Sequence, residues 1–190
     1  MNASSGSALK PTRISIGVRL VAYLGAVSQV PLTESIQHYL REIYKLAQTG
    51  EPVGVTALAR AQEVSAASAS AMVKKLTALG LAEHPPYKGI SLTPSGERVA
   101  IEVIRHHRLL ELYLAETLGV SVDDVHEEAD KLEHVISEEL EARIDKALGF
   151  PTHDPHGDPI PDANLEWPEK PSRPSDRRTR PRAASDTPRG

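Results

Sequence analysis

The feature that most restricts the fold of this chain is a close succession of short elements over residues 55–92. Apolar residues at helical spacing predict one short helix near 55–61 and a second from Ser65 to Gly80, joined by a turn of three or four residues. Strand, turn and strand signals over 81–92 follow directly, with prolines and a glycine in the turn. Two helices, a tight turn and a hairpin in this order predict a winged helix-turn-helix, a motif that binds DNA.

Longer helices are predicted on both sides of this motif. Apolar residues at helical spacing predict a first helix over about 33–49. A long helix begins at Pro94 and continues to Gly119, and two more are predicted over roughly 121–132 and 132–148. The predicted fold class is therefore mainly α. The last two helices carry more apolar side chains than one short hairpin of helices needs, which favours a homodimer interface.

The residue content excludes several kinds of chemistry. The chain contains no cysteine, which excludes disulfides, thiolate zinc sites, iron–sulfur clusters and cysteine nucleophiles. Residues 106–150 hold twelve carboxylates and four basic side chains, a charge of −8 in a chain whose formal net charge is −4. A segment this acidic is solvated, repels anionic partners or binds cations.

The two ends differ from the middle in composition. Residues 1–31 carry three basic and no acidic side chains, and Lys10 and Arg13 precede an apolar stretch as in a signal peptide. Arg19 interrupts that stretch and no clear cleavage site follows, so we expect a weakly ordered extension, a cytoplasmic protein and no membrane partner. Export is the alternative. Residues 162–190 are rich in proline and arginine, which predicts a disordered tail.

Histidines and carboxylates fall on shared faces of two predicted helices. His107 and Glu111 are four residues apart on the long helix. On the next helix, four such residues stand at positions i, i+4, i+7 and i+8: His126, Asp130, Glu133 and His134. His38 on the first helix is a further donor. Imidazole and carboxylate without thiolate suit manganese, ferrous iron, cobalt or zinc.

Six separate stretches, in matching order and spacing, resemble the metal-dependent repressors of the diphtheria toxin repressor and manganese transport regulator type. They are His38-Tyr39-Leu40 with Ile43-Tyr44, Leu92-Thr93-Pro94-Ser95-Gly96, His107-Arg108-Leu109-Leu110-Glu111, Val125-His126-Glu127-Glu128-Ala129-Asp130, Leu132-Glu133-His134-Val135 and His156-Gly157-Asp158-Pro159-Ile160-Pro161. The resemblance covers about residues 32–161. It implies a mainly α protein with an N-terminal winged helix-turn-helix DNA-binding domain over 32–96 and a helical metal-binding and dimerisation domain over 97–161.

The resemblance also implies the metal ligands. The primary site would contain His38, Asp130, Glu133 and His134, and the ancillary site would contain His107, Glu111 and His126. Iron-responsive members have Met and Cys where this chain has His38 and Asp130, and the loss of both sulfurs favours Mn²⁺ as the divalent metal, with Fe²⁺ next.

Two further departures from the family affect the metal sites. Short manganese-sensing members have acidic residues at the positions of His38 and Arg41, so their paired-metal geometry is not expected here. Longer members carry a C-terminal SH3-like barrel that can complete the ancillary site, where this sequence has its proline- and arginine-rich tail. We therefore expect an ancillary site that water completes or that binds weakly.

The predicted recognition helix and wing supply the candidates for DNA contact. These are Thr56, Ser65, Ser68, Ser70, Lys74, Lys75, Tyr87 and Lys88, and most would reach phosphates. The combined reading is a metal-dependent transcriptional regulator, a manganese- or iron-activated repressor of metal-uptake genes. It would bind double-stranded operator DNA as a homodimer and would not be an enzyme. Bound metal would order the DNA-binding domain relative to the dimer.

Two alternatives stay open at this point. A winged-helix regulator that responds to an organic ligand would share residues 50–95 without needing seven aligned ligands. A binuclear metallohydrolase would use the same histidines and carboxylates around a metal-bound hydroxide. Calorimetry without metal binding would favour the first alternative, and turnover in the presence of metal would favour the second.

Overall fold

The computed structural model describes residues 32–169. Predictions for residues 1–31 and 170–190 lie outside this range. The described helices are α1 (Glu34–Ala47), α2 (Val55–Ala61), α3 (Ala66–Ala78), α4 (Pro94–Leu118), α5 (Val125–Leu132) and α6 (Glu138–Ala147), with strands β1 (Ala82–Glu83) and β2 (Ser91–Leu92) between α3 and α4. The mainly helical prediction is confirmed. Within the described range, no helix is both long and apolar enough to cross a membrane.

The winged helix-turn-helix prediction is also confirmed. The hydroxyl of Ser65 accepts a hydrogen bond from the Ser68 amide at 3.1 Å, so α3 begins where the N-cap was predicted. β1 and β2 pair antiparallel, and the Ile90 amide donates to the Val53 carbonyl at 2.8 Å, which joins the wing to the turn after α1. The wing is thus fixed beside the helix pair.

α4 connects the two parts of the protein. Thr93 caps its first turn by accepting a hydrogen bond from the Gly96 amide at 3.2 Å, and Gly119 ends it in the left-handed conformation at φ 70°. Gly96 lies against the residue that precedes β1, because a Cβ at this position would sit 1.9 Å from the Leu81 carbonyl oxygen. With 25 residues, the helix is about 37 Å long at 1.5 Å per residue. It therefore starts inside the winged-helix part and continues into the helical part.

Two separate hydrophobic clusters lie along α4. The first packs α1 to α3 and the wing against the start of α4, and it includes Ile36, Leu40 and Leu76. The second packs α5 and α6 against the rest of α4, and it includes Leu109 and Val125. Side chains of α4 belong to both clusters, so the helix links them.

α5 and α6 are shorter than the predicted helices over 121–132 and 132–148. Residues 121–124 form a turn in which the Ser121 carbonyl accepts the Asp124 amide at 2.9 Å. Ser137 has extended backbone angles, φ −89° and ψ 151°, and its hydroxyl accepts the Leu140 amide at 3.3 Å. An N-cap at this position starts a new helix and ends the continuity that the apolar pattern had predicted.

A buried arginine fixes α6 and the segment after it to α4. Arg105 donates to Glu141 at 2.5 Å, to Asp145 at 2.7 Å and to the Pro161 carbonyl at 2.6 Å. Because both carboxylates are buried with the guanidinium, removing one partner would leave an unpaired charge in the interior. This network holds the chain beyond α6 close to the middle of α4.

The first eight residues of the predicted tail, 162–169, are described by the structure. The indole of Trp167 donates to the Tyr44 hydroxyl at 3.0 Å, and the two rings stack with centroids 6.2 Å apart. The Arg108 guanidinium lies 5.6 Å from the centre of the indole. The end of the described chain therefore contacts α1 of the winged-helix part.

Candidate metal centre

All seven predicted metal ligands lie in one region, where α1 meets α4 and α5. α1 supplies His38, and α4 supplies His107 and Glu111 from its middle. α5 supplies His126 and Asp130, and Glu133 and His134 follow in the turn at its end. The region therefore spans both parts of the protein.

The three predicted ancillary ligands converge. The Nε2 of His107 lies 3.0 Å from the Glu111 Oε1 and 3.0 Å from the Nδ1 of His126, and that Nδ1 lies 3.1 Å from the same Glu111 oxygen. Two imidazoles and a carboxylate this close together form a donor set that suits a divalent transition metal.

The predicted primary ligands divide into two groups. His38 and His134 contact each other through their Nε2 atoms, and their ring centroids are 4.4 Å apart. Both rings approach the Glu133 Oε1, at 3.9 Å for His38 and 3.2 Å for His134. Glu34 completes a possible donor group with the two histidines. The sequence reasoning missed Glu34, although its position one turn before His38 was a usable signal.

Asp130 belongs to the other group. Its Oδ1 lies 3.1 Å from the Arg41 Nη1 and 3.3 Å from the His107 Nδ1, and its Oδ2 lies 3.7 Å from the His126 Nε2. The His107 Nδ1 also lies 2.7 Å from the Glu133 Oε2. His107 and Glu133 therefore connect the two predicted sites into one continuous network.

Arg41 supplies the positive charge inside this network. Its Nη1 lies 2.8 Å from each oxygen of Glu133, whose side chain is 0% exposed. A fully buried carboxylate needs a cation or several hydrogen bonds. Arg41 meets that need, and it stands between the two carboxylates that the sequence assigned to the primary metal.

The charges of the cluster shift the pKa values of its members. Burial opposes a charge on His107, but hydrogen bonds and attraction from Glu111 and Glu133 outweigh it and raise the pKa of His107 to about 9. Burial also opposes the charge of Glu111, yet the hydrogen bond from His107 and the charges of nearby histidines lower the pKa of Glu111 to about 2. Burial lowers the pKa of His134. In the absence of another cation, His107 therefore carries a proton at neutral pH.

The structure adds donors that the sequence analysis did not include. Glu111, Asp154 and His156 form another possible donor group, with ligand atoms within 4.8 Å of one another. Asp154 and His156 lie in the segment after α6, where no helical periodicity marks a common face. Glu102, His106 and Glu138 form a separate group on α4 and α6, in which Glu102 and His106 are buried and Glu138 is half-buried.

The predicted DNA contacts lie on α2, α3 and the wing. Seven of the eight are exposed: Thr56, Ser65, Ser68, Lys74, Lys75, Tyr87 and Lys88. Ser70 is half-buried. The hydroxyls of Ser65 and Ser68 are 2.9 Å apart at the start of α3. Tyr87 is fully exposed at the tip of the wing, with φ 66°.

Comparisons with known proteins agree with this architecture. The model of the iron-dependent repressor N-terminal DNA-binding domain matches residues 31–90, and that of the iron-dependent repressor metal-binding and dimerisation domain matches residues 93–162. The chain is 36% identical over 130 residues to the diphtheria toxin repressor of Corynebacterium efficiens, covering 68% of this chain and 56% of that one. It is 37% identical over 130 residues to the iron-dependent repressor IdeR of Mycobacterium leprae, with the same coverage of 68% and 56%.

A solved structure gives the same result. A manganese-dependent transcriptional repressor in complex with manganese is 44% identical, with a TM-score of 0.67, and the match covers 72% of this chain and 63% of that chain. The chain belongs to the iron-dependent repressor family. It spans just over half the length, 56%, of the two curated relatives named above.

Proposed function

We propose that this protein is a divalent-metal-dependent, DNA-binding transcriptional repressor. The observation that carries the proposal is the donor network itself, because it joins α1 of the winged-helix part to α4 and α5 of the helical part. His38 comes from one side, and Glu133 and His134 come from the other. Occupancy of the network would therefore change how the DNA-binding part is held.

A bound divalent cation would supply positive charge and several coordination positions among these oxygen and nitrogen donors. His38 and Glu34 would then be held against His134 across the boundary between the two parts. Asp130 and Glu133, which pair with Arg41, would then share their negative charge between the guanidinium and the ion. Each change restricts the orientation of α1, and α1 packs in the same core as the recognition helix α3.

Mn²⁺ is the metal that we propose first, with Fe²⁺ next. The donors in the described network are imidazole nitrogens and carboxylate oxygens without a sulfur ligand, and this set favours harder ions. The names of the relatives include both iron and manganese. Metal availability in the cell, in addition to affinity, would decide which ion acts.

We further propose the division of the chain into a DNA-binding domain over 32–96 and a metal-binding and dimerisation domain over 97–161. The homodimer would use apolar side chains of the second domain that are exposed in the single chain. The most exposed of these are Leu118, Val135 and Phe150, with Val135 at 75%. Two copies would place two recognition helices on successive turns of operator DNA.

On the DNA side, Lys74, Lys75 and Lys88 would contact phosphates, and Tyr87 would reach the backbone or minor groove from the wing. Thr56, Ser65 and Ser68 would add hydrogen bonds from the same face, and Ser70 would contribute least because it is half-buried. We place this activity in the cytoplasm, without membrane partners and without catalysis, and we propose metal-uptake genes as the targets.

The proposal is tested by fluorescence anisotropy with promoter DNA from a manganese or iron uptake operon, with Mn²⁺ or with chelator. We expect Mn²⁺ to tighten DNA binding at least tenfold, a coupling of about 1.4 kcal/mol. Asp130→Ala and His134→Ala should lose that gain, whereas His153→Ala, an exposed histidine outside the donor groups, should keep it. Equal binding with chelator would contradict the proposal.

One observation favours a second candidate, a regulator that responds to an organic ligand. A cavity of about 500 Å³ lies between α1, α4 and the segment that follows α6, lined by Tyr44, Ile104 and Trp167 among others. Its size is within the range of small-molecule pockets. DNA binding that is independent of metal would favour a regulator that binds an organic ligand in this cavity.

A further inference from the structure

The segment after α6 is fixed to α4 before it reaches α1. Arg105 donates to the Pro161 carbonyl at 2.6 Å, and Arg108 donates to the Pro159 carbonyl. The side chain of Ile160, which lies between the two prolines in the chain, is buried in the second hydrophobic cluster. This stretch therefore has a defined position on the helical part.

Asp162 closes the turn that comes next. One of its carboxylate oxygens accepts the amides of Asn164 and Glu166 at 2.8 and 2.9 Å, and its own amide donates to the Glu166 carbonyl at 2.8 Å. Aspartate favours such turns because its side chain can accept the amides of residues that follow it. Leu165, inside the turn, has a φ of 66°, in the left-handed region. The closed turn determines where the next residue, Trp167, lies.

Trp167 contacts both parts of the protein. Its indole N–H donates to the Tyr44 hydroxyl at 3.0 Å, and the two rings are stacked with an angle of 14° between their planes. The Arg108 guanidinium lies 5.6 Å from the centre of the indole. Tyr44 belongs to α1 and Arg108 to α4, and neither is a predicted metal ligand. The indole therefore joins α1 to α4 independently of the metal donors.

α1 thus has two contacts with the helical part that lie well apart along its axis. Tyr44 comes six residues after His38, about 9 Å along the helix at 1.5 Å per residue. His38 makes the other contact, with His134 and Glu133. Both contacts are present in the same orientation of α1. A contact that already holds one end of α1 reduces the freedom that a metal ion would otherwise have to restrict, so metal binding becomes tighter.

We propose that Trp167 is a positioning residue for the metal response, because it holds α1 in the orientation in which His38 reaches His134. The inference rests on the proposed metal-dependent function. Trp167 raises the Mn²⁺ affinity of the donors around His38 without contacting the ion. Linkage between two such contacts is reciprocal, so Mn²⁺ binding should in turn strengthen the contact between Trp167 and Tyr44.

The first measurement is the Mn²⁺ affinity of the full chain without DNA, from the electron paramagnetic resonance signal of the free ion. Trp167→Ala should weaken Mn²⁺ binding about fivefold or more. Trp167→Phe retains an aromatic ring beside Tyr44 and should lose less affinity. Tyr87→Ala, which removes a fully exposed aromatic side chain from the wing, is the control and should bind Mn²⁺ like wild type.

The second measurement is the emission maximum of Trp167, the sole tryptophan of the chain. Indole emission moves to shorter wavelength when the ring is less accessible to water, so Mn²⁺ should move the wild-type maximum in that direction. The shift should be smaller in Tyr44→Phe, which lacks the hydroxyl that accepts the indole N–H, and absent in His38→Ala. A residue that only stabilised the fold would not produce a shift that depends on His38.

The outcomes separate the two proposals. Unchanged or tighter Mn²⁺ binding by Trp167→Ala would overturn the role of Trp167 and leave the proposed function standing, as would a wild-type emission maximum that bound Mn²⁺ does not move. Wild type that binds no Mn²⁺ would overturn the proposed function together with this inference. If Trp167→Ala does not fold, Trp167→Phe and Tyr44→Phe decide the result, and wild-type Mn²⁺ affinity in both would overturn the role of Trp167.

Discussion

Arg41 and Glu133 form a buried ion pair in which a single guanidinium nitrogen lies 2.8 Å from both carboxylate oxygens. The pair joins α1 to the end of α5 through the middle of the candidate metal centre. Arg41 is therefore a positive charge within the network, and a bound metal ion would partly replace it beside Glu133. The stability of the protein and its metal binding are therefore linked through the same carboxylate.

Replacement of Arg41 should reveal this linkage. Arg41→Ala leaves the buried Glu133 carboxylate without its arginine partner and with the His107 ring as the neighbouring positive charge, so we expect the metal-free protein to lose about 3 kcal/mol of unfolding free energy. Mn²⁺ should restore much of the loss, because only the folded variant would bind it. Chemical denaturation with and without Mn²⁺ measures both effects. Arg143→Ala is the matched control, since Arg143 pairs with Glu139 on the exposed face of α6. Equal losses of unfolding free energy in Arg41→Ala and Arg143→Ala would contradict the proposed linkage through Arg41.

Proton release should accompany metal binding at His107. Its pKa of about 9 lies above the unfolded value of 6.5, so the protonated ring stabilises the metal-free fold fully below pH 6.5. That contribution is lost as the pH rises through 9. A metal ion needs the neutral ring, so Mn²⁺ affinity should increase from pH 6.5 to 9. Calorimetry in buffers of different ionisation enthalpy counts the released protons, and His107→Gln should abolish this release.

A second pH effect should come from Glu102, away from the donor network. Burial, together with the nearby Glu138 carboxylate, raises the pKa of Glu102 to about 8. Because the raised pKa favours the neutral carboxyl group in the folded protein, protonated Glu102 contributes fully to the unfolding free energy below pH 4.5. This contribution is lost as the pH rises through 8. Glu102→Gln should therefore increase the unfolding free energy above pH 8 by at least about 1 kcal/mol.

The control for that prediction is Glu116→Gln, an exposed carboxylate on the same helix. Its unfolding curves should follow wild type at every pH. Thermal or urea unfolding between pH 5 and 9 compares the three proteins. A Glu102→Gln variant whose stability falls with pH as steeply as that of wild type would show that Glu102 titrates normally.

The wing should contribute electrostatically to DNA binding. Lys88 is exposed next to the wing tip and is expected to neutralise one phosphate. Lys88→Ala should weaken binding to operator and non-operator DNA about equally and reduce the slope of log affinity against log salt by about 1. Lys131→Ala is the control, since Lys131 pairs with Glu128 on α5. A loss confined to operator DNA would instead assign Lys88 to base recognition.

The fold could be predicted where local signals were strong. Thr93 with Pro94 and Gly119 marked both ends of α4, and Ser65 marked the start of α3. The boundary between α5 and α6 could not be predicted, because the apolar pattern continues through the cap at Ser137. In that region, the capping hydrogen bond outweighs the periodicity.

The candidate ligands could also be predicted, but their grouping could not. Helical spacing places Asp130 on the same face of α5 as His126, yet its carboxylate pairs with Arg41, which comes from a distant part of the chain. His156 was missed as a possible donor because the turn that carries it has no periodic pattern. Its position depends on hydrogen bonds to Asp154 that only the folded chain forms.

We propose that metal joins the DNA-binding part to the helical part, and His38 offers the most direct test. His38 is on α1, outside the predicted DNA contacts, and reaches His134 and Glu133. The measurement is the gain in operator affinity that Mn²⁺ produces in His38→Ala compared with wild type, with His153→Ala as control. We predict that His38→Ala binds DNA like wild type in chelator. The increase in operator affinity that Mn²⁺ produces should be at least tenfold smaller in this variant than in wild type. A variant that keeps the full gain would contradict the account.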